Sequence, residues 1–400
     1  MAVGQGNKEF KVVPGVKLSS LSCGIKADGI ADLVLFEFVE GTQSVGVFTQ
    51  SIFAAAPVEL GKKHLAQASS RYFLINSGNA NAGVGEVGLS DALTCCQTLS
   101  QLTGARPESV LPFSTGVIGE RLPVSNITDA LGDALKNLSE DNWLLAAEGI
   151  MTTDTRPKIS SRQICIDGTV VTLTGIAKGA GMIQPNMATL LSYIATDAKI
   201  DQSLLKILLV EATEKSFNRI TVDSDTSTND SLMLSATGVS GLNINETNSA
   251  IFFDALESLS VELAHGIIRD AEGATKFIGV NVSGGKSQED CLAIAYSIAN
   301  SPLMKTALFA SDANWGRIVM AIGKAGVPID VNKLDVYIGD VQLMLKGQKH
   351  PEYTEAAGAE VVAEEEILIS VCLHSGEFEE RVWTSDLSHE YVRINAEYRT

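Results

Sequence analysis

The chain has 400 residues, 45% of them hydrophobic and 20% charged, enough for two ordinary domains and outside the range of disordered or coiled-coil chains. Thirty basic against 48 acidic side chains leave a net charge of −18, which disfavours nucleic-acid and anionic-membrane partners. No run reaches the roughly 18 to 20 apolar residues of a membrane span, and Met1–Lys11 is polar and Gly-rich, so a cytoplasmic location is expected. Six cysteines form no CxxC pair and no metal-like spacing, and read as small core residues of a reduced compartment; no metal and no cofactor are expected.

In chain order, Ile30–Glu40 and Ser44–Thr49 read as strands with a turn at Gly41-Thr42, and Arg71–Asn76 as a third. A helix is predicted from Ser90, as N-cap, through Leu102 to Gly104. Val110–Phe113 is a strand that breaks into the glycine turn Thr115–Gly119. Ile164–Thr174 reads as a hairpin around Asp167-Gly168. Helices are expected over Leu204–Phe217 and Ser249–Arg269. Then come strand Phe277–Val282, helices Glu289–Ala299 and Trp315–Lys324, a hairpin at Gly339-Asp340, and strand Ile367–Leu373. Strands and helices interleave, so the class is α/β or α+β, with a domain boundary near residue 280 (1–280 and 281–400).

Gly83–Gly88 fits GxGxxG, but six residues separate Gly83 from the strand end at Asn76, where a dinucleotide fold needs its first glycine close. A glycine-loosened loop is the better reading. There is no GxSxG, HExxH or GxxxxGK[ST], and the five histidines form no spaced cluster.

Lys178–Asp197, KGAGMIQPNMATLLSYIATD, carries the strongest chemical signal. Glycines and Pro185 make the backbone before Thr189 irregular, and an apolar run follows it at once. A threonine there can attack the preceding carbonyl, that of Ala188, and its freed α-amine can then serve as base for its own hydroxyl. The commoner reading is a threonine packed at a strand start. Thr115 and Gly116 could supply a hydroxyl and an N–H to an oxyanion; the commoner reading is a simple turn.

The same segment closely resembles the self-cleaving stretch of the ornithine acetyltransferase (glutamate N-acetyltransferase) family. Val13–Lys17, Ile75–Ala82, Ser114–Gly119, Ser216–Asp223, Asp225–Asp230, Glu272–Lys276, Asp312–Arg317 and Asn395–Thr400 are similar to that family in the same order. The resemblance implies a layered helix–sheet–sheet–helix, N-terminal-nucleophile-like self-processing fold with a smaller C-terminal α/β domain. It implies cleavage between Ala188 and Thr189, Thr189 as nucleophile, and Thr115 and Gly116 as oxyanion hole. It also implies substrate contacts from Thr152, Lys178, Thr189, Glu272, Asn395 and Thr400. Lys178 would pair with an amino-acid carboxylate and Glu272 with the side-chain ammonium of N-acetylornithine, although a surface lysine and an exposed loop carboxylate are the ordinary readings. The implied reaction is a ping-pong transfer of acetyl from N-acetylornithine to glutamate in arginine biosynthesis. Acetyl-CoA stays open as a second donor, and fragments 1–188 and 189–400 are expected to associate as α2β2. The alternatives are a self-processing aminopeptidase or amidase, and a processed binding protein. Two departures from the family pattern stand out: Ser224 where a glycine is expected, and Gly83 where a larger residue is common.

Overall fold

The computed structural model describes residues 2–4, 6, 8–184 and 190–397, so Ala188, Thr189 and Thr400 lie outside the described residues. The chain divides into two compact units, one of residues 6–218 and 225–267, the other of 1–5, 219–224 and 268–400.

The larger unit holds strands β1 (Val16–Leu21), β2 (Leu33–Phe38), β3 (Gln43–Phe48), β4 (Tyr72–Asn79), β5 (Val110–Val117), β6 (Lys158–Ile166), β7 (Thr169–Lys178), β8 (Leu191–Thr196), β9 (Lys199–Ile200), β10 (Ser231–Ala236) and β11 (Asn243–Ile244). Its helices are α1 (Ala56–Leu65), α2 (Glu86–Thr103), α3 (Val124–Lys136), α4 (Trp143–Gly149), α5 (Gln202–Lys215) and α6 (Ser249–Arg269). Two sheets form, in the orders β1-β2-β4-β5 and β3-β10-β8-β7-β6.

The period of two in β2 decides the layering. Val34, Phe36 and Phe38 pack on one side with Phe73, Phe113, Leu191, Tyr193 and Met233, the core between the sheets. Leu33 and Leu35 point the other way, against Leu60, Cys96, Leu99 and Leu131 of α1, α2 and α3. Trp143 of α4 closes the inner core edge-on against Phe36, with ring centroids 5.8 Å apart. Across the second sheet, α6 packs closely on Gly175: a Cβ there would meet Ile194 at 2.9 Å and Leu259 and Leu263 of α6 at 3.0 and 3.1 Å. Helix, sheet, sheet, helix is therefore the observed order of layers, as expected.

The Asp167-Gly168 hairpin joins β6 to β7, both turn residues having positive φ as a type I′ turn requires. Gly41-Thr42 is different. β2 and β3 are consecutive but lie in different sheets, β3 pairing with β10. Helix α2 also begins a turn earlier than Ser90, after Gly85 in the left-handed region.

The smaller unit contains β12 (Phe277–Gly285), α7 (Gln288–Ala299), α8 (Pro302–Phe309), α9 (Trp315–Gly323), β13 (Asp335–Ile338), β14 (Val341–Leu345), β15 (Gln348–Lys349), α10 (Glu355–Ala363), β16 (Glu366–Cys372), β17 (Phe378–Ser385) and α11 (His389–Glu397). Its sheet runs β15-β14-β13-β16-β12-β17 over a core that includes Val280, Ile294, Ile298, Ile318, Val336 and Ile369. Among the described residues no helix is long and apolar enough to cross a membrane.

Candidate active site

In the larger unit β4 and β5 run parallel until Gly78 faces Gly116, where the register slips and Asn79 opposes both Thr115 and Val117. Gly116 has φ +137, and a Cβ there would lie 2.2 Å from the Gly78 carbonyl carbon and 2.5 Å from Asn79 N. Gly78, at φ +101, would strike Ile25 Cγ2 at 2.9 Å. Two backbones therefore meet where neither tolerates a side chain, and such bulges re-aim the groups beside them. Thr115 is buried there at 6% exposure. Thr115-Gly116 is thus an irregular, bulged strand end rather than a simple turn.

Lys178 ends β7 opposite Leu191, the second residue after Thr189 in the chain. It is 6% exposed, so it is no surface lysine, and its Nζ stands 3.5 Å from Thr152 Oγ1. Both hang on one carboxylate. Asp154 accepts hydrogen bonds from Thr152 N at 3.0 Å and Gly179 N at 2.8 Å, and it pairs with Lys158, whose side chain is 3% exposed. Burial alone would raise the Asp154 carboxyl, but the Lys158 and Lys178 ammonium groups outweigh it and hold the group well below the usual carboxylate range. Lys26 adds a brace from the other side, donating to Met151 O at 2.6 Å and Ala31 O at 3.1 Å. Burial pulls its amine down to about 8, against the opposing pull of Asp32 and Asp154. None of Asp154, Lys158 and Lys26 stands out in the sequence. Asp154 and Lys158, four apart, look like any surface pair, and only their burial marks them.

In the smaller unit Glu272 sits in the loop between α6 and β12, 8% exposed, where an exposed carboxylate is the ordinary expectation. Asn395 of α11 donates to Glu272 Oε2 at 2.6 Å. The helix is held in place: Ser388 Oγ donates to Gly273 O at 2.7 Å, and Tyr391 Oη to Asp223 Oδ2 at 2.9 Å. The C-terminal segment is therefore ordered helix through Glu397 rather than a frayed end. Thr152, Lys178, Thr115 and Gly116 thus belong to one unit and Glu272 and Asn395 to the other, while Ala188, Thr189 and Thr400 lie outside the described residues.

Elsewhere the blander readings hold. His64 is a core histidine whose Nδ1 bonds Val110 O at 2.8 Å. Gly83 and Gly85 occupy left-handed positions in the loop before α2, as a glycine-loosened loop requires. Ser224, at φ +64, is a non-glycine residue in a conformation that favours glycine, which accounts for the expected glycine. Among the described residues no group of three or more His, Cys, Asp or Glu side chains could hold a metal ion.

Comparison with known proteins gives this geometry a context. The arginine biosynthesis bifunctional protein ArgJ of Pseudomonas syringae pv. tomato is 53% identical over 100% of both chains. The protein of that name from Methylococcus capsulatus is 49% identical over 97% of this chain and 96% of its own. Among solved structures, the arginine biosynthesis bifunctional protein argJ of Bacillus halodurans is 38% identical over 50% of this chain and 95% of that chain, with a TM-score of 0.49. The ornithine acetyltransferase of Mycobacterium tuberculosis, in complex with ornithine, is 32% identical over 44% of this chain and 93% of that chain, with a TM-score of 0.38. The ArgJ family model matches residues 17–400, and with the 53% identity to the Pseudomonas syringae protein over both full chains it shows that the chain belongs to the ArgJ family.

Proposed function

We propose that the chain is a self-processing glutamate N-acetyltransferase of arginine biosynthesis. It moves acetyl from N2-acetylornithine to glutamate through an acetyl-threonine. The Thr189 hydroxyl first attacks the Ala188 carbonyl, the peptide C–N bond breaks to free the threonine α-amine, and hydrolysis of the resulting ester releases the Ala188 carboxylate and restores the hydroxyl. In turnover that amine takes the hydroxyl proton as Thr189 attacks the acetyl carbonyl of N2-acetylornithine. Negative charge on the carbonyl oxygen rests on Thr115 Oγ1 and the Gly116 N–H. The amide C–N bond breaks, ornithine leaves with the proton, and an acetyl ester of Thr189 remains. The α-amine of glutamate attacks this ester, giving N-acetylglutamate and the free hydroxyl.

Thr152 and Lys178 take the amino-acid carboxylate, whereas Glu272, Asn395 and Thr400 take the side-chain end. A lysine and a glutamate among the substrate contacts suit an anionic and a cationic amino-acid group in turn. Acetyl-CoA enters as a second acetyl donor on the same threonine, and the two fragments remain associated as α2β2 in the cytoplasm.

The single observation that supports this most is the Gly116 bulge, a backbone crossing that only glycine permits, in a chain of the ArgJ family. The test is to supply acetyl-labelled N2-acetylornithine with and without glutamate. Label should reach N-acetylglutamate only when glutamate is present. Release of free acetate at one rate in both reactions would instead make the protein a hydrolase.

A further inference from the structure

Two adjacent residues immediately before β10 tie together the strands that carry the proposed chemistry. Asn229, 7% exposed, donates through Nδ2 to Ala80 O at 2.6 Å and Ser114 O at 2.9 Å. Its Oδ1 accepts from Thr228 Oγ1 at 2.6 Å, and its own N–H donates to Ser227 Oγ at 3.0 Å. Ser114 immediately precedes Thr115, and Ala80 follows Asn79, the residue opposite Thr115 in the bulge. Ser114 is fixed on its other side by its Oγ, which donates to Asn76 Oδ1 at 2.6 Å. One residue further, Asp230 is 1% exposed and accepts the Leu190 N–H through Oδ1 at 2.7 Å. Ser231 N donates to Leu190 O at 3.1 Å, and Asp230 O accepts from Thr49 N at 3.0 Å. One dipeptide therefore holds Ser114 and Leu190, the chain neighbours of Thr115 and Thr189.

We propose that Asn229 and Asp230 are positioning residues that set the register between the oxyanion strand and the nucleophile strand, an inference resting on the function proposed above. A primary amide with both protons committed to buried carbonyls cannot turn without breaking two hydrogen bonds and leaving both acceptors unsatisfied. The Asp230 carboxylate likewise fixes the main chain one residue after the nucleophile. Oxyanion stabilisation needs this precision, because displacement by about 1 Å is enough to lower a rate by roughly 10²-fold. Asn229 acts on Thr115 and Gly116 through main-chain carbonyls, so its contribution exists only while those groups work.

The test is a double-mutant cycle on the full chain with Asn229→Ala and Thr115→Ala. kcat and KM for N2-acetylornithine are measured on the processed fraction, alongside the melting temperature. Asn229→Ala should lower kcat at least about tenfold with KM within threefold, and its effect should fall below about threefold in the Thr115→Ala background. An equal loss in both backgrounds, with Thr115→Ala itself slow, would overturn the positioning role and leave the oxyanion reading standing. A Thr115→Ala protein as fast as the parent would overturn the oxyanion reading and this inference with it. Should Asn229→Ala not fold, Asn229→Ser keeps one donor and is read in the same cycle by the same criteria.

Discussion

Replacing Gly116 by alanine perturbs the site at one carbon atom. The new Cβ would stand 2.2 Å from the Gly78 carbonyl carbon and 2.6 Å from its oxygen. Nonbonded carbons settle at about 3.5–4.0 Å, so β4 and β5 must part by more than ~1 Å at this point. The residue would also have to hold φ +137, a conformation that costs a non-glycine residue on the order of 1–3 kcal/mol. Either response, separation of the strands or rotation of the peptide, turns the Gly116 N–H away. Loss of one oxyanion donor lowers kcat by ~10²–10³-fold. Gly116→Ala should therefore reduce kcat for acetyl transfer at least about 100-fold with KM for N2-acetylornithine little changed. Gly119→Ala is the matched control. It too has positive φ, +87, but a Cβ there meets nothing within 4 Å, so it should cost about 1 kcal/mol of stability and no activity. Steady-state kinetics on the processed fraction, with denaturant melts of all three proteins, decides. A folded Gly116→Ala protein with kcat within threefold of the parent would refute the assignment of this bulge to the reaction.

Asp154→Asn should remove the buried carboxylate paired with Lys158 and destabilise the protein by roughly 3–5 kcal/mol at neutral pH. Because the folded-state Asp154 carboxyl is depressed, its stabilisation is complete above the unfolded value near ~3.9 and is lost as pH falls toward the folded one. The gap between parent and variant in urea melts should therefore be flat from neutral pH to about 5 and shrink at lower pH; a gap that widens on acidification would contradict this sign. Ser224→Gly relieves a left-handed backbone at an exposed position and should raise stability by ~0.5–1 kcal/mol; a fall would show that the serine is held by something stronger than the strain. Asn395→Ala removes the amide on Glu272 and should raise KM for N2-acetylornithine about tenfold or more while self-cleavage proceeds as before, and an unchanged KM would remove Asn395 from substrate binding.

What the sequence makes legible is what short-range chemistry decides. The alternation of Leu33–Phe38 sorts its side chains onto two faces, and Asp167-Gly168 and Gly339-Asp340 form the hairpins their turn chemistry demands. Pairing over long range leaves no such mark. β3 looks like the hairpin partner of β2, yet it joins β10, nearly two hundred residues away, in the other sheet. Residues 219–224 likewise fall in the unit formed by the distant C-terminal third. In the site, the resemblance indicates Lys178, Thr152, Glu272 and Asn395 but not what holds them. Asp154 is hidden because an aspartate four residues from a lysine is ordinary on any surface, and Asn229 because its two acceptors are main-chain carbonyls with no side-chain signature.

Intact mass under denaturing conditions tests the central claim, that Thr189 is the nucleophile of a self-processing enzyme, most directly. Freshly purified active protein should resolve into two fragments ending at Ala188 and beginning at Thr189, and Thr189→Ala should remain one chain of 42.4 kDa without transferase activity. Active protein found only as the uncut 42.4 kDa chain, or a Thr189→Ala variant that exchanges acetyl at the parent rate, would contradict it.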